Sequence, residues 1–223
     1  MLGLLDSGLL EDNAKKLWDD FWKRRNLKGL DSWSKRRMVK ILSSYIKPGM
    51  SVLDAGCGTG FFSAYFISQG CNVYSMDYSE GALSIAKDFT KHRSKRYIDG
   101  NILDEKLFSN INTKFDIIFT DGLLEHYPKK MQEKVIMNMK NVKKEDGYMI
   151  NFVPNMFSLW SMVRPFCMDI KERPFIMKGF LNLHRRKDLN VISSGGVNVL
   201  PFRVSPERLL GRYFGMLFYC VAI

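Results

Sequence analysis

Three things are scarce in this sequence: paired cysteines, long apolar runs and phosphate-binding motifs. Each scarcity removes a class of protein. The four cysteines, Cys57, Cys71, Cys167 and Cys220, stand far apart with no C-x-x-C pair. That spacing excludes a disulfide framework and a zinc knuckle, and it points to a reducing, cytoplasmic setting. No apolar run approaches the roughly 18 residues that a membrane-spanning helix needs. The longest, Phe214 to Ile223, reads as a buried strand. Residues 1–16 carry acids where a secretory leader would carry positive charge, so no leader is expected. The G-x-x-x-x-G-K-S/T phosphate loop is absent, and so is the G-x-G-x-x-G dinucleotide fingerprint.

What the chain does have is ordinary globular composition and an uneven charge. Its 223 residues are 46% hydrophobic and 26% charged, enough for one domain with a core that needs no staple. The net charge is +11. Residues 1–50 hold 11 basic and 6 acidic groups, residues 51–150 hold 13 of each, and residues 151–223 hold 10 and 4. The excess therefore lies in the two flanks, around an electrically balanced centre. Such flanks suit an anionic partner, and they equally suit solubility.

The pattern along the chain alternates strands and helices. Residues 10–47 read as helical, with Trp18, Phe21 and Trp22 on an aromatic face and a second stretch from Ser32 to Tyr45. Ser51 to Asp54 is a short apolar strand. Phe61 to Gln69 is an apolar helix with Gly70 at its end. Asn72 to Met76 is a second strand closed by Asp77, and Ser79 is placed to cap the next helix. Arg96 to Ile98, Phe115 to Thr120 and Tyr148 to Val153 continue the strands. Lys129 to Val142 is amphipathic, with Met131, Val135, Met139 and Val142 on one face. Beyond Pro154 the pattern loosens, and Pro165 and Pro174 break any long helix. Val191 to Val199 and Phe214 to Ile223 supply two more strands. Alternation of this kind predicts an α/β domain with a parallel sheet covered by helices on both faces.

The informative stretch is Val52-Leu53-Asp54-Ala55-Gly56-Cys57-Gly58-Thr59-Gly60. A strand ends, glycines permit a tight turn and close ligand approach, and a helix begins. Asp54, two residues before the first glycine, is poorly suited to cradling a pyrophosphate and suits a ligand with a cationic end. Asp77 at the end of the second strand offers the bidentate acceptor that two vicinal hydroxyls need.

These residues resemble the class I S-adenosylmethionine-dependent methyltransferases, over about residues 45–155. The resemblance implies a Rossmann-like, doubly wound, seven-stranded sheet, mostly parallel with an antiparallel last strand. It implies a helical lid at 1–47, an S-adenosylmethionine-binding core at 48–154, and an acceptor-side insertion with the last two strands at 155–223. For the cofactor it implies the loop Asp54, Gly56, Cys57, Gly58 and Gly60, with Cys57 packing rather than reacting. Asp77 would hold the ribose hydroxyls and Tyr78 would lie against the adenine. Asn101, with Ile102 after it, would accept from the adenine amino group where many members carry Asp. Asp121, with Gly122, would line the methionine end. Trp22, with Trp18 and Phe21, is similar to the lid helix that many small-molecule members fold over the cofactor.

On the acceptor side, His126 lies five residues beyond the fourth strand and is the candidate general base. The run Leu123-Leu124-Glu125-His126 resembles ubiquinone-type O-methyltransferases, whose E-x-x-E-H arrangement is associated with a divalent metal. Here Gly122 occupies the first carboxylate position, so no metal is expected, and Glu125 alone remains a candidate. Arg24, Arg25 and the run Arg185-Arg186-Lys187 are candidate contacts for an anionic acceptor. The expected activity is methyl transfer to a small-molecule or lipid-like acceptor. An RNA or protein methyltransferase is the alternative, and a non-catalytic cofactor-binding subunit is a third. The D/N/S-P-P-Y/F/W motif of amino-methylases is missing after the fourth strand, and Cys167 follows Phe166 rather than the proline of cytosine C5 enzymes. Nucleic acid is therefore not the favoured partner.

Overall fold

A computed structural model describes residues 15–22, 32–161 and 172–223 of the chain. Arg24, Arg25, Pro165, Phe166 and Cys167 lie outside the described residues. Helix α1 covers residues 15–22. Helix α2 (Trp33–Leu42) follows, capped by Ser32, whose hydroxyl accepts from the Lys35 amide. Strands β1 (Ser51–Ala55), β2 (Asn72–Asp77) and β3 (Arg96–Asp99) alternate with α3 (Phe61–Ser68) and α4 (Glu80–Phe89). After α5 (Glu105–Ser109) come β4 (Phe115–Asp121), a single 3₁₀ turn at Leu124–His126, α6 (Lys129–Val142) and β5 (Lys143–Pro154). The remainder is α7 (Met177–Arg185), β6 (Val191–Val197), α8 (Glu207–Phe214) and β7 (Leu217–Ala222).

The strands form one seven-stranded sheet in the order β3-β2-β1-β4-β5-β7-β6. All neighbours pair parallel except β7, which runs antiparallel to both β5 and β6. The Rossmann-like, doubly wound sheet with an antiparallel last strand is thus present. Successive residues of a strand point to opposite faces, and both faces here are apolar. Leu53, Ile118 and Met149 pack with α6 and α7 on one side. Val52, Ile117 and Ile150 pack with α2 and α3 on the other. This two-sided burial explains why the central strands read as continuous apolar runs.

Several boundaries differ from the sequence reading. The break expected after Pro154 contains α7, whose Phe180, Leu181 and Leu183 complete the core; proline placement alone did not reveal it. The strand expected from Phe214 begins only at Leu217. Phe214 closes α8 instead, and Gly215 ends that helix because its backbone lies against Gly196 and Val197. Of the four residues read on one face of α6, Val135, Met139 and Val142 are buried, while Met131, in the first turn, is 45% exposed.

Candidate functional site

The carboxyl ends of β1, β2 and β4 bring Asp54, Asp77 and Asp121 to the glycine loop. Gly56, Gly58 and Gly60 all have positive φ, at 76°, 51° and 78°. A Cβ at Gly58 would fall 2.8 Å from the Trp22 ring, and one at Gly60 would fall 2.9 Å from Ala86. The loop therefore needs glycine both for its left-handed backbone and for the closeness of α1 and α4. Asp77 accepts from the amides of Gly58 (2.8 Å) and Ser79 (3.0 Å), which fixes its carboxylate against the loop. Asp54 accepts from the Ser63 hydroxyl at 2.6 Å, and Ser63 continues through Ser75 to Ser94.

Burial raises both acids. Asp54 is pushed up to about 7 by desolvation first, with the Ser63 hydrogen bond opposing and the charges of Asp121 and Asp77 adding to the rise. Asp77 rises to about 6, again by desolvation, against the amides of Ser79 and Gly58. Carboxylates held near one another in low dielectric are relieved by a cation. Cys57 is buried with Leu83 and Ala86, and its thiol is pushed well up by burial, so it packs rather than reacts.

Asn101 and Ile102 follow β3. The Asn101 side chain accepts from the Leu103 amide at 2.9 Å, making a local turn. The Ile102 side chain is buried in the core and its carbonyl accepts from Asn138 at 2.9 Å. Tyr127, next to His126, is half-buried near Asp77 and Tyr78, and the desolvation of its phenol raises it.

Helix α1 lies across this end of the sheet. Lys15 bridges Glu80 (2.8 Å) and Asp99 (3.1 Å), and Asp19 accepts from the Gly81 amide at 3.1 Å. Trp18 meets the His126 ring edge-to-face at 4.8 Å, and Phe21 is buried between Trp18 and Trp22. Trp22, Trp18 and His126 are thereby brought to one rim.

A later segment completes that rim. Arg173 donates its amide to the Glu125 carbonyl (2.9 Å) and its guanidinium to the His126 carbonyl (3.2 Å). The next residue back, Glu172, stands with Glu125 and His126 so that one ligand atom from each lies within 4.8 Å of the others. A divalent cation with bonds of about 2.1 Å spaces its ligands roughly 3–4 Å apart, so this trio fits one after slight closure. The expectation of no metal rested on Gly122, and Glu172 brings the third donor from another segment. Neither Glu172 nor Arg173 was found from sequence, because both lie about fifty residues beyond His126 in a stretch without periodicity. Conversely, the run Arg185-Arg186-Lys187 sits against the flank of α6. It closes α7 just before β6 begins, and Arg186 and Lys187 face Glu133 at 3.7 and 3.3 Å. Two of its three cations are therefore engaged with α6.

A seven-stranded 3-2-1-4-5-7-6 sheet, with a glycine loop after β1 and acids closing β1, β2 and β4, defines a class I S-adenosylmethionine-dependent methyltransferase domain. The profile of the methyltransferase-domain family matches residues 46–178, and the chain belongs to that family. Among curated relatives, it is 38% identical over 73 residues to malonyl-[acyl-carrier protein] O-methyltransferase of Pectobacterium atrosepticum, covering 33% of this chain and 27% of that one. It is 30% identical over 113 residues to ribosomal protein L11 methyltransferase of Thermosipho africanus, covering 50% and 40%. It is 28% identical over 168 residues to ribosomal RNA small subunit methyltransferase C of Buchnera aphidicola, covering 68% and 49%. The chain thus spans less than half the length of these relatives. In fold it is similar to magnesium protoporphyrin IX methyltransferase from Synechocystis with bound S-adenosylhomocysteine, at a TM-score of 0.66 and 16% identity over 97% of this chain and 99% of that one. It is also similar to the N-methyltransferase NodS from Bradyrhizobium japonicum, at 0.67 and 15% over 95% and 98%.

The residues present fit S-adenosylmethionine. The carboxylates Asp54, Asp77 and Asp121 suit its cationic end and vicinal hydroxyls, and the half-buried Gly56 puts no side chain between its backbone and a ligand.

Proposed function

We propose that this protein transfers a methyl group from S-adenosylmethionine to a small-molecule or lipid-like acceptor bearing negative charge. The observation that carries the reading is the arrangement of α1. Its Trp22 lies over the glycine loop and its Trp18 over His126, so the reaction centre is roofed by the chain itself. A roofed site suits a compact acceptor more than a folded RNA or protein. Relatives acting on all three kinds of acceptor exist, so the argument rests on this geometry. RNA or protein methylation remains the alternative.

When bound, the cofactor supplies an electrophilic methyl on a good leaving group, which leaves the protein the tasks of alignment and exclusion of water. Asp77 would hold the ribose hydroxyls, with the amides of Gly58 and Ser79 fixing its carboxylate. Asp54 and Asp121 would face the amino-acid end. Tyr78 and the Asn101 turn would border the adenine. Trp18 and Trp22 would exclude water. His126 would take the acceptor's proton where the acceptor carries one. Arg173, held against the His126 carbonyl, would bind an acceptor anion. In a metal-loaded form Glu125, His126 and Glu172 would instead hold a divalent cation, which would steady a developing oxyanion, and His126, its lone pair then on the cation, would not be the base.

The test has two parts. S-adenosylhomocysteine at about a hundred times its dissociation constant should raise the melting temperature by roughly 5–10 °C. Asp54→Ala and Asp77→Ala should each abolish that rise; wild-type-like shifts in both would sink the cofactor assignment. Labelled S-adenosylmethionine and fractionated extract should then place label in the small-molecule or lipid fraction, and label confined to RNA or protein would overturn the acceptor reading.

A further inference from the structure

An amphipathic helix on a sheet normally turns its large apolar side chains inward. Helix α8 does the reverse. Its contact with β6 is made by Gly211, whose backbone lies so close to Gly196 that a Cβ at Gly196 would fall 1.9 Å from the Gly211 carbonyl. Leu209, Leu210, Tyr213 and Phe214 are left exposed, Leu209 at 78%. At about 100° per residue these four span an arc of roughly 140°, and Arg208 and Arg212 lie beside it.

The apolar surface continues on both sides. Phe202 and Val204, on the loop before α8, are 63% and 82% exposed, with Arg203 between them. Phe157, Leu159 and Trp160 are exposed just beyond β5. Asn155 ties that segment to the end of α8 by donating to the carbonyls of Tyr213 and Gly215, each at 2.8 Å. The surface is preformed. Arg37 pairs with Glu207 at 2.9 Å and donates to the carbonyls of Leu200 and Phe202, while the Asn198 amide donates to Glu207 at 3.0 Å.

We propose that this face docks on an anionic lipid surface. Contiguous exposed apolar residues on this scale mark an interaction site, and an apolar helix face bordered by arginine fits a headgroup–acyl boundary. The charge selects the occupant. Arg203, Arg208 and Arg212 pair with no carboxylate among the described residues, and α8's one acid, Glu207, is held by Arg37. A second copy on this face would bring six arginines together. An RNA would leave Leu209, Phe202 and Val204 in water. The face also lies at the carboxyl end of β5 and β6, the end of the sheet that carries Asp54, Asp77 and Asp121. Docking there would present the proposed methyl-transfer site to a lipid-borne acceptor. The docking itself does not rest on the methyl-transfer reading.

The test is co-sedimentation of the full chain, without cofactor, with vesicles of phosphatidylcholine alone or with phosphatidylglycerol added. The chain should bind the anionic vesicles, lose binding as salt rises, and show a blue shift of Trp160 fluorescence on binding. Leu209→Ser with Val204→Ser should weaken binding at least about tenfold. Arg208→Gln with Arg212→Gln should weaken it by about fivefold per arginine, on anionic vesicles only. An unchanged thermal response to S-adenosylhomocysteine in both pairs verifies that they are folded, and it reads the cofactor assignment separately. No vesicle binding, or equal binding by wild type and both pairs, overturns the proposal. So does concentration-dependent self-association that the serine pair abolishes without any vesicle binding. So does RNA binding that the glutamine pair loses and the serine pair keeps.

Discussion

Asp54 is the clearest case of a residue whose cost and use coincide. Its carboxyl is raised from 3.8 to about 7, so across that window the folded chain holds a proton that the unfolded chain has lost. The apo protein must therefore lose stability as pH climbs from about 4 to 7, by up to ~1.4 kcal/mol per unit for this group alone. Asp54→Asn removes that loss. Urea unfolding should find the variant more stable than wild type by roughly 1–3 kcal/mol at pH 8 and little different at pH 4. A parallel pair of pH profiles would disprove the assignment. His126 is read differently, because a base acts on rate. His126→Gln should lower turnover about a hundredfold or more while leaving the S-adenosylhomocysteine thermal shift intact. Unchanged turnover would remove it as the base.

Close approach governs the elements around the site. Helices α3 and α4 meet where Gly60 faces Ala86, and the loop between β1 and α3 depends on that contact. Gly60→Ala puts a Cβ 2.9 Å from Ala86 and forces a side chain onto a φ of 78°. A destabilisation of about 2–4 kcal/mol should follow, with weaker cofactor binding, measured by denaturation and by thermal shift. A cost below ~1 kcal/mol would mean that the loop tolerates rearrangement. The glycines of this loop were legible because their spacing follows a strand and precedes a helix. Gly196 and Gly211 were not legible. Their approach joins residues from different elements, and nothing local distinguishes them from ordinary glycines.

Across the whole molecule, one buried polar chain runs under the sheet's working end. Thr120 donates to the Asn151 side chain at 2.7 Å, Asn151 meets His184 Nε2 at 2.7 Å, and His184 Nδ1 meets the Phe180 carbonyl at 3.0 Å. In the consistent arrangement Asn151 donates to Nε2 and Nδ1–H donates to Phe180, so the ring is neutral. Burial lowers His184 to about 4. Between pH 6.5 and 4 the unfolded chain takes up a proton that the native ring refuses, so this group's contribution falls as pH falls. The loss reaches about 3 kcal/mol by pH 4, and His184→Gln should flatten it in urea titrations. An identical acid limb in the variant would refute the assignment. The net charge of +11 also resolves at this scale. Part of it, at Arg186 and Lys187, faces Glu133 on α6, while Arg203, Arg208 and Arg212 gather on one face.

By itself the sequence determined the sheet and the cofactor loop. Strand periodicity, the V-L-D-A-G-C-G-T-G turn and the acid closing β2 are local features, set by backbone sterics and by residues adjacent in the chain. Only the tertiary structure decided what surrounds His126. Glu172 and Arg173 reach His126 because β5 and the segment after it return to the end of β4, and that return is a long-range packing event with no periodic signature. The same reason hid the outward face of α8. No helix is read from the sequence between Val199 and Phe214, and the direction α8 faces is set by one glycine lying on another across the sheet edge.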